Sequence, residues 1–88
     1  MPKVVMYKTP FCPYCSRAAM LLQRKGVEFT ELRVDTDPGL RQEMEQRSGR
    51  TSVPQIFIDD FHVGGCDDLY ALEAEGKLDG HLALNSAM

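Results

Sequence analysis

Long apolar runs are missing from this sequence: the longest are only a few residues, against the roughly 20 that a membrane-spanning helix needs. A signal-peptide pattern is also missing, because Lys8 interrupts the apolar stretch Val4-Val5-Met6-Tyr7 too early. A cytoplasmic location is therefore expected. Positive charge is in short supply, with 10 Lys and Arg against 13 Asp and Glu and a net charge of −3. The basic residues are scattered, so the stripe that marks a nucleic-acid binder is absent. Arg47 and Arg50 read as a solvated helix end. Cysteines number only 3, an odd count, whereas a secreted disulfide scaffold has an even and larger set. Repeats, linkers and low-complexity tracts are lacking too. What is present is ordinary: 43% hydrophobic and 26% charged residues argue for a folded globule rather than a disordered chain. A length of 88 residues predicts one domain over 1–88.

Punctuation along the chain predicts the elements. Residues 3–7 read as a short buried strand, which Thr9-Pro10 breaks. A helix starts near Pro13, which suits the first helical position because it has no N–H to lose. It continues through the good helix formers at 16–25 to a stop at Gly26. Residues 27–34 read as a second strand, with Val27 and Phe29 on one face and Leu32 and Val34 on the other. Asp37-Pro38, a cap and an N1 proline, opens a helix through Leu40 and Met44 to Ser48, ended by Gly49. Residues 55–59 form a third strand, Asp59-Asp60 a tight turn, and 61–63 a fourth strand ended by Gly64-Gly65. Asp67 or Asp68 caps a helix through Leu69 and Leu72 to Glu75, stopped by Gly76. Asp79 starts a last short helix containing Leu82. The order is β-α-β-α-β-β-α, an α/β fold. Its opening βαβ unit demands parallel strands, and its closing strand pair is a hairpin.

The chemistry concentrates at Cys12-Pro13-Tyr14-Cys15. A thiol must ionise before it attacks a disulfide. Cys12, just before a helix, takes the N-cap position, where its sulfur accepts hydrogen bonds from the free N–H groups of the first turn. The positive end of the helix dipole lies there as well, and Lys8 stands four residues upstream. All three favour the thiolate. Cys15, Ala19 and Leu22 fall at i, i+4 and i+7 on one helical face, and the apolar members turn that face inward. Cys15 is then the shielded resolving thiol and Cys12 the exposed nucleophile. A zinc site needs two more ligands, and Cys66, His62 and His81 do not provide a second Cys-x-x-Cys or a His pair at zinc spacing. No metal is expected.

These residues resemble those of the glutaredoxins, above all the small bacterial dithiol members, over nearly the whole chain. Three blocks carry the resemblance: Lys8 with Cys12-Pro13-Tyr14-Cys15, then the run from Arg50 through Ser52-Val53-Pro54 to Ile58, then Gly64-Gly65-Cys66-Asp67-Asp68-Leu69. The resemblance implies the thioredoxin fold, with a four-stranded mixed sheet and a cis peptide before Pro54. It also implies a thiol–disulfide oxidoreductase that reduces glutathionylated proteins and protein disulfides. Glutathione would be its co-substrate, with no tightly bound cofactor. Val53 would hold the cysteinyl backbone of glutathione, Lys8 the glycine carboxylate, and Gly65-Cys66-Asp67 the γ-glutamyl end. Tyr14 would flank the bound sulfur, and Arg41 would assist Lys8. Ser52 stands where many members have threonine and keeps the hydroxyl.

The remaining candidates take plainer readings. Cys66 is a small buried residue, Met20 and Met44 fill the core, and His62 and His81 lie on the surface. Two other functions compete. One is an iron–sulfur protein in which two subunits and two glutathiones share a [2Fe–2S] cluster; the stiff, bulky Pro13-Tyr14 pair and the presence of Cys15 disfavour it. The other is a protein of the same shape reduced by thioredoxin reductase, against which the Lys8 and Gly65-Cys66-Asp67 combination argues. A monomer is expected, with disulfide-bearing or glutathionylated proteins as partners.

Overall fold

Val4, Val5, Met6 and Tyr7 are all buried. Consecutive strand residues point to opposite faces, so such a run demands a covering layer on each side of its sheet. That is the architecture found in the computed structural model, which describes residues 2–84. The elements in order are β1 (Val4–Lys8), α1 (Pro13–Arg24), β2 (Thr30–Arg33), α2 (Pro38–Ser48), β3 (Gln55–Ile58), β4 (Phe61–Gly64), α3 (Cys66–Ala74) and α4 (Leu78–His81). The four strands form one mixed sheet in the order β2-β1-β3-β4. β1 is parallel to β2 and antiparallel to β3, and β3 is antiparallel to β4. The expected βαβ unit and closing hairpin are both present.

The alternation along β1 and β3 divides the core in two. Val4 and Met6 lie with Ile56 and Ile58 against Ala18, Leu21 and Leu22 of α1, Leu69 of α3, and Leu78 and Leu82. Val5, Tyr7 and Phe57 face the other way, onto Met44 and Leu40 of α2 and onto Val34. Burying side chains of this size stabilises by about 1.5–3 kcal/mol each.

Helix ends follow the sequence signals in part. The Asp37 carboxylate accepts from the N–H groups of Gly39 and Leu40 at 3.0 and 3.1 Å, and Gly49 closes α2 at φ 70°. Other expectations need correction. β2 starts at Thr30 rather than at residue 27, because its pairing with β1 begins at Val5 opposite Thr30. Val27 and Phe29 still pack on the α1 side and Leu32 and Val34 on the α2 side. α3 starts at Cys66 with Gly65 as its N-cap, not at an aspartate cap. Asp68 sits in the first turn and reaches back to accept the Gly65 N–H at 2.9 Å. α4 begins at Leu78 rather than Asp79, and Leu82 follows it as C-cap. Met20 is 59% exposed and fills no core; inward-facing positions of α1 fall at Cys15, Ala18, Leu21 and Leu22.

Gly64 joins β4 to α3 at φ +110°, and a Cβ built there would lie 2.2 Å from the Asp68 carboxylate. Backbone in this region costs a side-chain-bearing residue about 1–3 kcal/mol, and the crowding pushes Asp68 off Gly65. Gly64→Ala is therefore expected to lower unfolding free energy by at least about 1 kcal/mol in a urea titration. An unchanged midpoint would contradict this account of the joint.

Candidate active site

Cys12 occupies the N-cap of α1 in extended backbone, and Pro13 follows at the first helical position. The chain folds this way because proline has no N–H to leave unpaired there. The Cys12 sulfur accepts a hydrogen bond from the Cys15 backbone N–H at 3.1 Å. Both residues are thiols in this structure. Cys12 is half-buried, whereas Cys15, one turn on, is 2% exposed. The two sulfurs thus share a helix start but not an environment. Burial above all, with the hydrogen bond to Cys12 next, pushes the Cys15 thiol up to about 12, against the opposing pull of a Thr9 backbone contact and the Lys8 charge.

The loop ahead of β3 faces this turn. The Val53–Pro54 peptide bond is cis, as expected, and the Val53 carbonyl oxygen lies 3.9 Å from the Cys12 sulfur. Beside it runs a groove of about 230 Å³ lined by Tyr14, Arg50, Ser52, Val53, Pro54, Gly65, Cys66, Asp67 and Asp68. The structure therefore brings together Tyr14, the Ser52-Val53-Pro54 loop and the Gly65-Cys66-Asp67 segment. A larger hollow, about 650 Å³, lies beside Val4, Val27 and Leu82 and has neither Cys12 nor Cys15 in its wall.

Lys8 and Arg41 are not part of the groove wall. The Lys8 ammonium pairs with Glu31 at 3.2 Å. Arg41 donates to the Thr51 carbonyl at 3.3 Å and pairs with Glu45 at 3.5 Å. Two further residues line the groove that were not expected there, Arg50 and Asp68, which form an ion pair at 3.1 Å. Arg50 read as a solvated helix end; its signal was its place directly before the Thr51-Ser52-Val53-Pro54 run. The Gly65 N–H, and then Arg50, hold the Asp68 carboxyl below the usual carboxylate range. Cys66 is buried, as expected, and burial pushes its thiol up. His62 is half-buried rather than on the surface. Among the described residues, no three His, Cys, Asp or Glu side chains gather where a metal ion could be held, and no helix is long and apolar enough to cross a membrane.

A mixed four-stranded sheet with helices on both faces, two thiols at the start of the first helix and a cis-proline loop beside them define a protein of the thioredoxin fold. The family model for glutaredoxin matches residues 4–63, and the chain belongs to the glutaredoxin family. It is 59% identical over 83 residues to a glutaredoxin from Pseudomonas aeruginosa, covering 94% of this chain and 99% of that protein. It is similar to the solution structure of glutaredoxin from Brucella melitensis (TM-score 0.83, 57% identity, 100% of this chain and 96% of that one). It is also similar to the crystal structure of a buckwheat glutaredoxin–glutathione complex (TM-score 0.85, 28% identity, 93% of this chain and 77% of that one). Its activity is that of a thiol–disulfide oxidoreductase.

A raised thiol pKa means that the proton is retained at neutral pH. Cys12→Ser removes Cys12's share of the effect on Cys15 and leaves burial, the largest cause. In that variant, alkylation of Cys15 by iodoacetamide, followed by peptide mass, is expected to stay slower than that of a free cysteine. Its inflection should lie above the free-thiol value of about 8.5. An inflection at or below that value would show that Cys15 is not shielded.

Proposed function

We propose that glutathione is the electron donor of this oxidoreductase and that Cys12 is its nucleophile, acting on protein–glutathione mixed disulfides and on protein disulfides. The observation that carries the reading is the Cys12 sulfur at the α1 N-cap beside a groove that ends at the N-terminus of α3. Glutathione lies along the groove. Its γ-glutamyl carboxylate meets the free N–H groups that open α3, its ammonium meets Asp67, and its cysteinyl backbone pairs with Val53. Ser52 and Pro54 shape the loop and Tyr14 flanks the sulfur. Lys8 and Arg41 take the glycine carboxylate by exchanging their partners Glu31 and Glu45. Surface ion pairs of this kind hold by only about 0–1 kcal/mol, so the exchange is cheap. That a buckwheat relative was solved as a glutathione complex supports glutathione as the ligand.

The Cys12 thiolate attacks the glutathionyl sulfur. The disulfide bond breaks, and the substrate cysteine leaves as a thiolate that takes a proton from water. A second glutathione, as thiolate, attacks the glutathionyl sulfur on Cys12. Glutathione disulfide forms and the Cys12 thiolate returns. Cys15 has no part in this cycle. With a protein disulfide, Cys12 first forms a mixed disulfide with the substrate. Its sulfur then no longer carries charge, which removes part of what holds the Cys15 proton. Cys15 passes that proton to the departing substrate thiolate and attacks Cys12. The resulting Cys12–Cys15 disulfide is reduced by two glutathiones.

The test uses wild type, Cys12→Ser and Cys15→Ser on a glutathionylated peptide and on a protein disulfide, with glutathione and glutathione reductase. Cys12→Ser is expected to lose both activities. Cys15→Ser should keep most turnover of the glutathionylated peptide and lose protein-disulfide reduction, where a tethered thiol has an effective concentration that a free one lacks. Loss of peptide turnover in Cys15→Ser would replace this scheme with a dithiol mechanism.

Asp67→Ala addresses the far end of the groove. It is expected to raise KM for the glutathionylated peptide several-fold while the alkylation rate of Cys12 holds. Equal damage to both would mean that Asp67 serves the fold and not the ligand.

A further inference from the structure

A buried amide is costly unless its donors and acceptor are met. Gln55, the first residue of β3, is only 1% exposed. Its Nε2 donates to the Ser52 carbonyl at 3.1 Å and to Ser52 Oγ at 3.3 Å. Its Oε1 stands 2.7 Å from His62 Nε2 on β4. The orientation follows from chemistry: a backbone carbonyl only accepts, so the amide nitrogen must face Ser52. The oxygen then faces His62, whose Nε2 carries the proton that it donates. His62 is itself held by stacking on Phe57, with ring centres 4.8 Å apart.

The chain between α2 and β3 has no regular structure of its own. Its outer anchors, Arg41 on the Thr51 carbonyl, Ser48 on the Arg50 backbone and Arg50 on Asp68, are exposed and compete with water. The Gln55 amide is the buried anchor. It is clamped from β4 and grips Ser52, and the next residue, Val53, presents its carbonyl to Cys12 at 3.9 Å.

We propose that Gln55 is a positioning residue for the active-site loop: with His62 behind it, Gln55 sets where the Val53 backbone stands relative to Cys12, and so how firmly a disulfide substrate is held before attack. This rests on the reading of Val53 as the backbone that pairs with substrate. Gln55 bonds to neither thiol, so it acts on binding and not on the sulfur chemistry.

Two substitutions separate this role from support of the fold. Gln55→Met keeps length and apolar bulk but removes the donor and the acceptor. His62→Phe keeps the stack on Phe57 and removes only the clamp. For each, kcat and KM are measured on the glutathionylated peptide, together with the alkylation rate of Cys12 and the urea unfolding midpoint. The expected result for Gln55→Met is a rise in KM of about three- to tenfold, the scale of one lost hydrogen bond. Its kcat and Cys12 alkylation should hold, and His62→Phe should shift KM in the same direction by less. Unchanged KM in both variants overturns the proposal. So does a loss of kcat and Cys12 alkylation in parallel with KM, which marks a purely structural residue. If Gln55→Met does not fold, His62→Phe decides on the same criteria. If wild type itself fails to turn over the glutathionylated peptide, the glutathione reading falls, and the KM comparison on a protein disulfide decides for Gln55.

Discussion

The antiparallel register between β1 and β3 is the constraint on which the site depends. Tyr7 pairs with Gln55 and Met6 with Ile56, so the chain leaves β1 toward Cys12 at the same end of the sheet where it enters β3 from Val53 and Pro54. On the next strand Ile56 pairs with Gly64, which brings the Gly65–Asp68 turn to that end as well. Three segments far apart in sequence therefore converge without any direct bond being needed among them. A slip of one residue would put Met6 and Ile56 on opposite faces, turning one of the two from the α1 and α3 face to the α2 face. Each is fully buried, and misplacing such a side chain forfeits about 1.5–3 kcal/mol. The core thereby enforces the geometry of the thiols.

Within that frame, one helix start makes two unlike cysteines. Cys12 takes the capping place, where its sulfur receives an N–H and stays accessible. Cys15 is carried round by one turn to the inward face, beside Ala18 and Leu22. The same burial that packs α1 against the sheet keeps the Cys15 proton in place. A buried thiol that keeps its proton is thus a by-product of the amphipathic pattern of α1, and no separate device is required.

What could be read from the sequence was what is local. Pro13, Pro38 and Gly49 act through their own backbone and Asp37 through a carboxylate that reaches only two and three residues on, and the elements they mark begin or end where expected. The dithiol, the cis-proline loop and the segment after Gly64 were all found as groove or helix-start residues. The misreadings have non-local causes. β2 is an edge strand whose length is set by its single partner, β1. Asp68 resembles a cap but works from inside the first turn, because Gly65 holds the capping position without a side chain. Met20 sits in an apolar run, yet its angular position on α1 faces outward. Lys8 is paired with a glutamate on a neighbouring strand, and Gln55 with a histidine across the hairpin. No spacing along the chain announces either contact.

We propose that the groove beside Cys12 recognises glutathione and does not merely expose a reactive sulfur. The most direct measurement takes reduced Cys15→Ser protein and compares rates of mixed-disulfide formation with glutathione disulfide and with cysteinylglycine disulfide, which lacks the γ-glutamyl group, locating each adduct by mass. Modification is expected at Cys12, at a rate at least about tenfold higher with glutathione disulfide, equivalent to about 1.4 kcal/mol of transition-state stabilisation. Equal rates, or adducts found chiefly on Cys66, would contradict it.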